Sequence, residues 1–241
     1  MKIIDKIRRK QDDMRGSPAP TIAFFGDSVT HGCFELYMAN ESTVTTVYDP
    51  AHAYHKYVKD IFAKLYPTVQ LNIINAGISG DSAEGGVARI DRDVIRFSPD
   101  LTVVCFGLND STKTEEVRAR YCGYLKSIFE KLRACGSEVI FMTPNMMNTR
   151  IPYGEFNDAI EAMANRTKDV ENGDVLYRML EEAKDLAKDS GVKVCDCYSR
   201  WRRLAACGVD TTSLLANKIN HPDRDMNWLF AVSLVETMFE E

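Results

Sequence analysis

Short apolar runs alternate with longer stretches of helical periodicity along most of this chain. Five of the runs are continuous in apolar or β-branched residues, as strands covered on both faces are. They are TIAFFG (21–26), QLNIIN (70–75), LTVVCFG (101–107), EVIFMT (138–143) and VKVCDC (192–197). The pattern therefore predicts five buried strands.

Between and after these runs, apolar residues recur at every third or fourth position, which is typical of helices with one buried face. The stretches are 52–66, 114–135, 175–190 and 225–241. Alternation of strand and helix favours a parallel sheet with helices on both faces. We therefore predict an α/β fold in one domain over residues 20–241, preceded by an N-terminal helix or tail over residues 1–19.

Polar and small residues follow the first three predicted strands, at the edge of the sheet where α/β proteins bind ligands. These segments are GDSVTHG (26–32), AGISGDSAEGG (76–86) and GLNDS (107–111). The insertion after the fourth strand, residues 144–174, is long enough to cover a site there. The sequence therefore predicts a candidate site at the carboxyl ends of these strands.

Composition narrows the classes of partner. The 241 residues carry a formal net charge of −5 and no stripe dense in Lys or Arg, so we expect no nucleic acid partner. No apolar run has the length of a membrane span, and the first twenty residues lack the apolar core of a secretory signal. The expected partner is a small molecule rather than a membrane, and the oligomeric state stays open.

The cysteines indicate a reducing compartment. Their number is odd, seven, and they are scattered, so we expect free thiols and a cytoplasmic location. Cys195 and Cys197 lie two apart on a predicted strand and would point to the same face. With no histidine nearby, we expect a structural role for them rather than a metal site.

Ser28 stands where the first predicted strand meets a helix, and a serine nucleophile needs a base beside it. Only four histidines are available. His52 and His55 fit a partly exposed helix face, and His31 lies too close along the helix to reach around to the Ser28 hydroxyl. His221, in a polar stretch before the last helix, is either a general base or a surface-loop histidine.

Two further residues are candidate donors for an oxyanion. Gly80 offers a backbone N–H without a side chain in the way, and Asn109 offers an amide. Each also has an ordinary explanation, since glycine is common in turns and asparagine in Asx-turns.

Four blocks in this order, GDSVTHG, ISGDSAEGGVARI, GLND and NHP, resemble those of the GDSL-type, or SGNH, hydrolases. The resemblance spans residues 21–231 and implies a flavodoxin-like, three-layer α/β/α fold. It implies that Ser28 is the nucleophile, that His221 is the base, and that the Ser28 N–H, the Gly80 N–H and the Asn109 side chain form the oxyanion hole. The implied reaction is ester hydrolysis without metal or cofactor. In this interpretation Gly26 lets the backbone turn sharply and Asp27 braces the turn.

One position departs from the family's pattern. The usual acid lies three residues before the histidine, where this chain has Lys218, and a lysine cannot accept a hydrogen bond from an imidazole N–H. A backbone carbonyl near Lys218 could orient His221, an acid among Asp210, Asp223 and Asp225 could do so, or the site could be inactive. We favour the carbonyl, because orienting the ring is part of what the acid supplies.

The function that we predict is a serine esterase for a small acyl or O-acetyl ester, with a carbohydrate ester as one candidate. The alternatives are a lipase or thioesterase for longer acyl groups and a catalytically impaired binding domain on the same fold. A nucleotide-binding domain is least favoured, because neither G-x-x-x-x-G-K-[ST] nor G-x-G-x-x-G is present. Aromatic residues of the insertions either contact a substrate or pack their own loops. They are Phe34, Tyr37, Tyr48, Tyr153 and Phe156.

Overall fold

A computed structural model describes residues 1–40, 43–154 and 156–240 of the chain. The strands within these residues are β1 (Thr21–Gly26), β2 (Cys33–Asn40), β3 (Thr43–Tyr48), β4 (Asn72–Gly77), β5 (Leu101–Cys105), β6 (Glu138–Met142) and β7 (Lys193–Cys195). Five of them form one parallel sheet in the order β4-β1-β5-β6-β7. The predicted five-stranded parallel sheet is confirmed.

Six of the described helices form two groups that pack on the sheet. The described helices are α1 (Lys2–Asp12), α2 (Ser28–His31), α3 (Tyr54–Leu65), α4 (Ala83–Asp93), α5 (Leu108–Ser111), α6 (Glu115–Arg118), α7 (Tyr121–Ala134), α8 (Asp158–Asn172), α9 (Val175–Asp189), α10 (Cys197–Ala206) and α11 (Arg224–Phe239). Helices α1, α3 and α11 form one group, and α4, α7 and α9 form the other. This is the three-layer α/β/α arrangement that was predicted.

Burial on both faces explains why the sequence of strand β1 is continuously apolar. Ile22, Ala23, Phe24 and Phe25 are all fully buried, because helices cover both faces of the strand. Burying each large apolar side chain stabilises the fold by about 1.5–3 kcal/mol. This interior strand is therefore a rigid support for the residues that follow Gly26.

Strands β2 and β3 form an antiparallel hairpin, which is a second, separate sheet. The periodicity did not predict it. The hairpin departs from the main domain directly after α2 and returns at Asp49, whose N–H donates to the Gly32 carbonyl at 2.8 Å. Its base is therefore fixed next to Ser28.

Two local predictions are corrected. The helix predicted over 114–135 is divided into α6 and α7. Cys195 and Cys197 do not share a strand: Cys195 ends β7 and Cys197 begins α10, with free sulfurs 3.7 Å apart. The cause is Asp196, whose carboxylate accepts from the Ser199 N–H at 3.1 Å and so caps the start of α10.

The N-terminal segment contacts the main core, and the insertion is partly helical. Helix α1 buries Ile3 and Ile7 in the main core. In the predicted insertion over 144–174, residues 144–154 and 156–157 form no helix or strand, and α8 follows. Among the described residues, no helix is long and apolar enough to cross a membrane.

Candidate active site

Ser28 is the first residue of α2, directly beyond the carboxyl end of β1. Asp27 braces this corner, since its Oδ1 accepts from the Val29 N–H at 3.0 Å. The expectation for Gly26 needs a correction, because close packing rather than a special backbone angle requires glycine there. A Cβ on Gly26 would lie 2.4 Å from the Cys105 carbonyl oxygen. The left-handed residue of this turn is Gly32, with φ of 95°, which ends α2.

Buried acids stiffen the loops around Ser28. Burial raises the pKa of Asp27 to about 7, against the lowering effect of the Val29 N–H. Asp110 accepts from the Ala83 N–H at 3.0 Å, and burial raises the pKa of its carboxyl to about 6. These carboxyl groups hold backbone N–H groups at the starts of α2 and α4.

Arg89 joins the ends of two strands to the Gly80 loop. Its side chain is buried and donates to the Gly26 carbonyl at 2.8 Å, the Ala76 carbonyl at 2.7 Å and Asp81 Oδ2 at 2.6 Å. The guanidinium also lies 4.5 Å from the centre of the Phe25 ring. Such a buried arginine, with hydrogen bonds to both segments, fixes the distance between the Ser28 corner and the Gly80 loop.

Gly80 and Asn109 reach the same cavity as Ser28. Gly80 has φ of 80°, a conformation that favours glycine, and a Cβ there would meet nothing within 4 Å. The Asn109 amide donates to the Asp81 carbonyl at 2.8 Å. This bond orients the amide and uses one of its two hydrogens.

His221 contacts Ser28 directly. The His221 Nε2 atom lies 3.0 Å from Ser28 Oγ, and its Nδ1 atom lies 2.8 Å from the carbonyl oxygen of Phe34 on β2. A carbonyl only accepts, so Nδ1 carries the hydrogen and Nε2 has a free lone pair. The Ser28 hydroxyl therefore donates to Nε2, which is the arrangement that a general base requires.

The imidazole of His221 is held neutral. Burial lowers its pKa to about 4, although the Phe34 carbonyl and the nearby Glu35 carboxylate both favour the charged form. A neutral imidazole at physiological pH can accept the serine proton.

The loop before His221 is organised by Asn217. Its Oδ1 accepts from the N–H groups of Ile219, Asn220 and His221 at 2.9–3.0 Å. Lys218 adopts a left-handed conformation with φ of 57°, and its Nζ donates to the Ser213 carbonyl at 2.8 Å. The lysine at the expected acid position is therefore directed to its own loop.

The acceptor for His221 is thus Phe34, on a different element from Lys218. The three candidate acids have other partners or positions. Asp210 pairs with Arg150 at 2.5 Å, Asp223 caps α11 by accepting from the Met226 N–H at 2.8 Å, and Asp225 lies in the first turn of α11. No hydrogen bond joins any of them to His221 within the described part of the chain.

The other three histidines contact residues other than Ser28. His31 accepts from the Ser79 N–H at 3.2 Å and lies against Tyr48, with ring centres 4.8 Å apart. His52 is exposed and pairs with Asp49 at 2.8 Å. His55 was expected on a partly exposed face but is buried, because α3 packs this side against the core, and burial lowers its pKa to about 4.

A cavity of about 300 Å³ opens above the Ser28 hydroxyl. The hairpin, the His221 loop and α8 form its walls. Its lining includes Ser28, Leu36, Val44, Tyr48, Gly80, Asn109, Met163 and His221. Over residues 1–40, 43–154 and 156–240, no three His, Cys, Asp or Glu side chains are grouped as metal ligands.

Comparison with known proteins identifies the family. The model of the GDSL-like lipase/acylhydrolase family matches residues 24–228. The chain belongs to this family. It is a carboxylic ester hydrolase.

Relatives within and around the family extend the comparison. An acetylxylan esterase from Geobacillus stearothermophilus is 26% identical over 178 residues, which cover 70% of this chain and 75% of the relative. A crystal structure of an acetylxylan esterase from the same organism covers 92% of this chain and 95% of its own, with a TM-score of 0.67 and 18% identity. The lipase/acylhydrolase from Enterococcus faecalis has a TM-score of 0.64 at 19% identity, over 91% and 95% of the two chains. The two solved structures share the GDSL-family fold.

Sequence reasoning missed three contributors to this GDSL-family site. Arg89 lies inside the block ISGDSAEGGVARI, where an arginine between apolar helix positions was an available signal. Asn217, four residues before His221, fits an Asx-turn. Phe34 contributes a backbone carbonyl, which leaves no signature in the sequence.

Proposed function

We propose that this chain is a serine esterase in which Ser28 is the nucleophile and His221 is the general base. The observation that carries the proposal is the 3.0 Å contact between Ser28 Oγ and His221 Nε2, in the tautomer that the Phe34 carbonyl selects. A serine hydroxyl bonded to a neutral, oriented imidazole is an activated nucleophile.

The geometry supports acyl transfer in two steps. Ser28 Oγ attacks the ester carbonyl carbon while its proton passes to His221 Nε2. The oxyanion is stabilised by the Ser28 and Gly80 N–H groups and by the Asn109 amide. Collapse of this intermediate releases the alcohol, which takes the proton from His221, and leaves an acyl group on Ser28. Water then attacks the acyl carbon while His221 takes one of its protons. The bond to Ser28 Oγ breaks, the carboxylic acid is released, and His221 returns the proton to Ser28 Oγ.

A small acyl or O-acetyl ester is the substrate that we propose, with an acetylated carbohydrate as one candidate. The cavity volume, about 300 Å³, is at the lower end of the range for small-molecule sites. The relative that is named an acetylxylan esterase supports the same substrate class. No further component is needed for the proposed steps.

Hydrolysis of p-nitrophenyl acetate by the wild type and by Ser28→Ala tests the nucleophile. We expect turnover by the wild type and a loss of at least about 10³-fold in kcat for Ser28→Ala. Ser127→Ala, at a half-buried position of α7 outside the cavity, is the control and should retain full activity. Equal residual rates in wild type and Ser28→Ala would contradict the proposal.

The two main alternatives predict different results. A lipase or thioesterase would prefer octanoate or longer esters in a series of p-nitrophenyl substrates, whereas we expect the highest kcat/KM for acetate or butyrate. A catalytically impaired binding domain would hydrolyse none of these esters and would not react with a phosphonylating serine probe. Intact mass after such labelling therefore separates an inactive protein from a selective enzyme.

A cytoplasmic location is part of the proposal. All seven cysteines are free thiols, and thiols persist in reducing compartments. Cell fractionation with an antibody to the chain tests this assignment.

A further inference from the structure

The carbonyl that orients His221 belongs to the β2–β3 hairpin, which is not part of the main sheet. Phe34 is fully buried at the base of the hairpin. A displacement of the hairpin by about 1 Å would lengthen the 2.8 Å contact to His221 Nδ1 beyond hydrogen-bonding distance. The orientation of the base therefore depends on whatever fixes the hairpin to the His221 loop.

Arg224 makes that connection. It is the first residue of α11, three positions after His221, and its guanidinium donates to both oxygens of Glu35, at 2.6 Å and 3.3 Å. Its Nε donates to Asp49 Oδ2 at 2.9 Å. The guanidinium also lies 4.3 Å from the centre of the Phe34 ring. One side chain thus contacts the residue that orients His221, the residue after it and the residue that follows β3.

The charges in this group suit the reaction. The hydrogen bond from Arg224 lowers the pKa of Glu35, and the contact with His52, followed by that with Arg224, lowers the pKa of Asp49. Both carboxyl groups are therefore ionised at neutral pH, and Glu35 is adjacent in sequence to the Phe34 carbonyl. Its negative charge favours the imidazolium that forms when His221 takes the serine proton.

We infer that Arg224, Glu35 and Asp49 form a positioning clasp that takes over the two tasks of the absent acid. The clasp holds the Phe34 carbonyl on His221 Nδ1, and Glu35 supplies the negative charge. Arg224 is thus a positioning residue that acts through Phe34 and Glu35. This inference rests on the proposed function of His221 as the base.

The test compares Arg224→Met with Arg200→Met. Arg200 is a matched control, because it pairs with Glu236 on α11 at 2.8 Å, is about as exposed as Arg224 and lies outside the site. We expect kcat to fall by about 10–100-fold in Arg224→Met, since small misplacements of catalytic groups have effects of this size. KM should change less than about twofold, and Arg200→Met should keep wild-type kinetics. Equal losses in both variants would overturn the inference.

A spectroscopic measurement separates positioning from general destabilisation. The proton on His221 Nδ1 should give a downfield, slowly exchanging NMR signal in histidine-labelled protein, assigned by its absence in His221→Ala. We expect this signal to weaken or disappear in folded Arg224→Met and to persist in Arg200→Met. Persistence with wild-type intensity in Arg224→Met would contradict the inference. Because the signal does not depend on turnover, it tests the clasp even if the protein proves inactive and the proposed function fails.

Two further variants keep the test decisive if Arg224→Met does not fold. Arg224→Lys retains the charge but not the two-point contact with Glu35, so kcat should recover only in part. Glu35→Gln retains a hydrogen-bond acceptor for Arg224 but not the charge, and kcat should fall while the Nδ1 signal remains. If Arg224→Met does fold, the loss in the double variant Arg224→Met/Glu35→Gln should be smaller than the product of the single losses. Multiplicative losses would mean that the two residues act independently.

Discussion

The two halves of the candidate catalytic pair are built in different ways. Ser28 stands beyond the end of an interior strand of a buried sheet. Arg89 ties its corner to the Gly80 loop, and Asp27 braces the corner from within. His221 stands on a loop without regular structure and depends on Phe34, 187 positions away in the chain, for its orientation. The nucleophile half, which is Ser28 with Asp27 and Arg89, is thus part of the core. The base half, which is His221 with Asn217 and Phe34, is assembled from segments that meet only after folding.

This difference predicts how each half responds to substitution. A change in the nucleophile half disturbs packing and buried hydrogen bonds, so its first consequence is lost stability. A change in the base half alters the position of one ring in a protein that stays folded, so its first consequence is lost activity. The following predictions separate these two responses.

The largest effect is expected for Arg89→Met in the nucleophile half. The substitution leaves Asp81 and two strand-end carbonyls without their buried partner, which should lower the free energy of unfolding by about 3–5 kcal/mol. Urea unfolding measures the change. Arg92→Met, in an exposed pair on the same helix, is the control and should change stability by less than about 0.5 kcal/mol. Similar losses in both variants would show that the buried hydrogen bonds of Arg89 contribute no more to stability than the exposed ion pair of Arg92.

The next effect is expected for Asn217→Ala in the base half. Removing the acceptor of three backbone N–H groups should misplace His221 and lower kcat by about 10-fold or more. Asn217→Asp keeps the acceptor and should remain within about fivefold of the wild type. Steady-state kinetics measure kcat of both variants, and circular dichroism checks that they are folded. Equal activity in both variants would contradict the assigned role.

The pH dependence should reveal the buried base. Only the neutral imidazole accepts the serine proton, and burial lowers the pKa of His221 to about 4. We therefore expect kcat/KM to stay constant from about pH 8 down to about 5.5 and to fall as the pH drops through about 4. An acid limb near 6.5, the ordinary value for histidine, would mean that the imidazole is solvated in the free enzyme.

The smallest effects are expected for the acids near the base. Asp210→Asn, Asp223→Asn and Asp225→Asn should each keep kcat within about threefold of the wild type, because none of these carboxylates bonds to His221 within the described residues. Asn at position 223 also remains a good helix cap. A loss of several orders of magnitude in any one variant would identify it as the missing acid and refute the role of the Phe34 carbonyl.

Much of the nucleophile half follows from local sequence patterns. The run TIAFFG predicts a strand buried on both faces, and its end places Ser28 at the binding edge of the sheet. The segments that contain Gly80 and Asn109 follow neighbouring strands, so the topology brings them to the same cavity. These predictions succeed because local periodicity determines the strands, and the parallel sheet aligns their ends.

The base half shows what sequence patterns leave open. The hairpin 33–48 has mixed polarity and no clear periodicity, so its strands were not predicted, and the buried state of His55 was missed for lack of tertiary contacts. The acceptor for His221 was expected near Lys218 but lies on Phe34. Any residue can present a carbonyl, so residue identity contains no information about this contact.

The sequence by itself determined the fold class, the order of the five main-sheet strands along the chain and the identity of Ser28, Gly80, Asn109 and His221 as a candidate group. Only the tertiary structure decided how His221 is oriented, because that depends on a backbone atom and on side chains from distant segments. The physical reason is the range of the interactions. Periodicity and turn chemistry act within a few residues, whereas the contact between His221 and Phe34 exists only once the hairpin has packed beside the last helix.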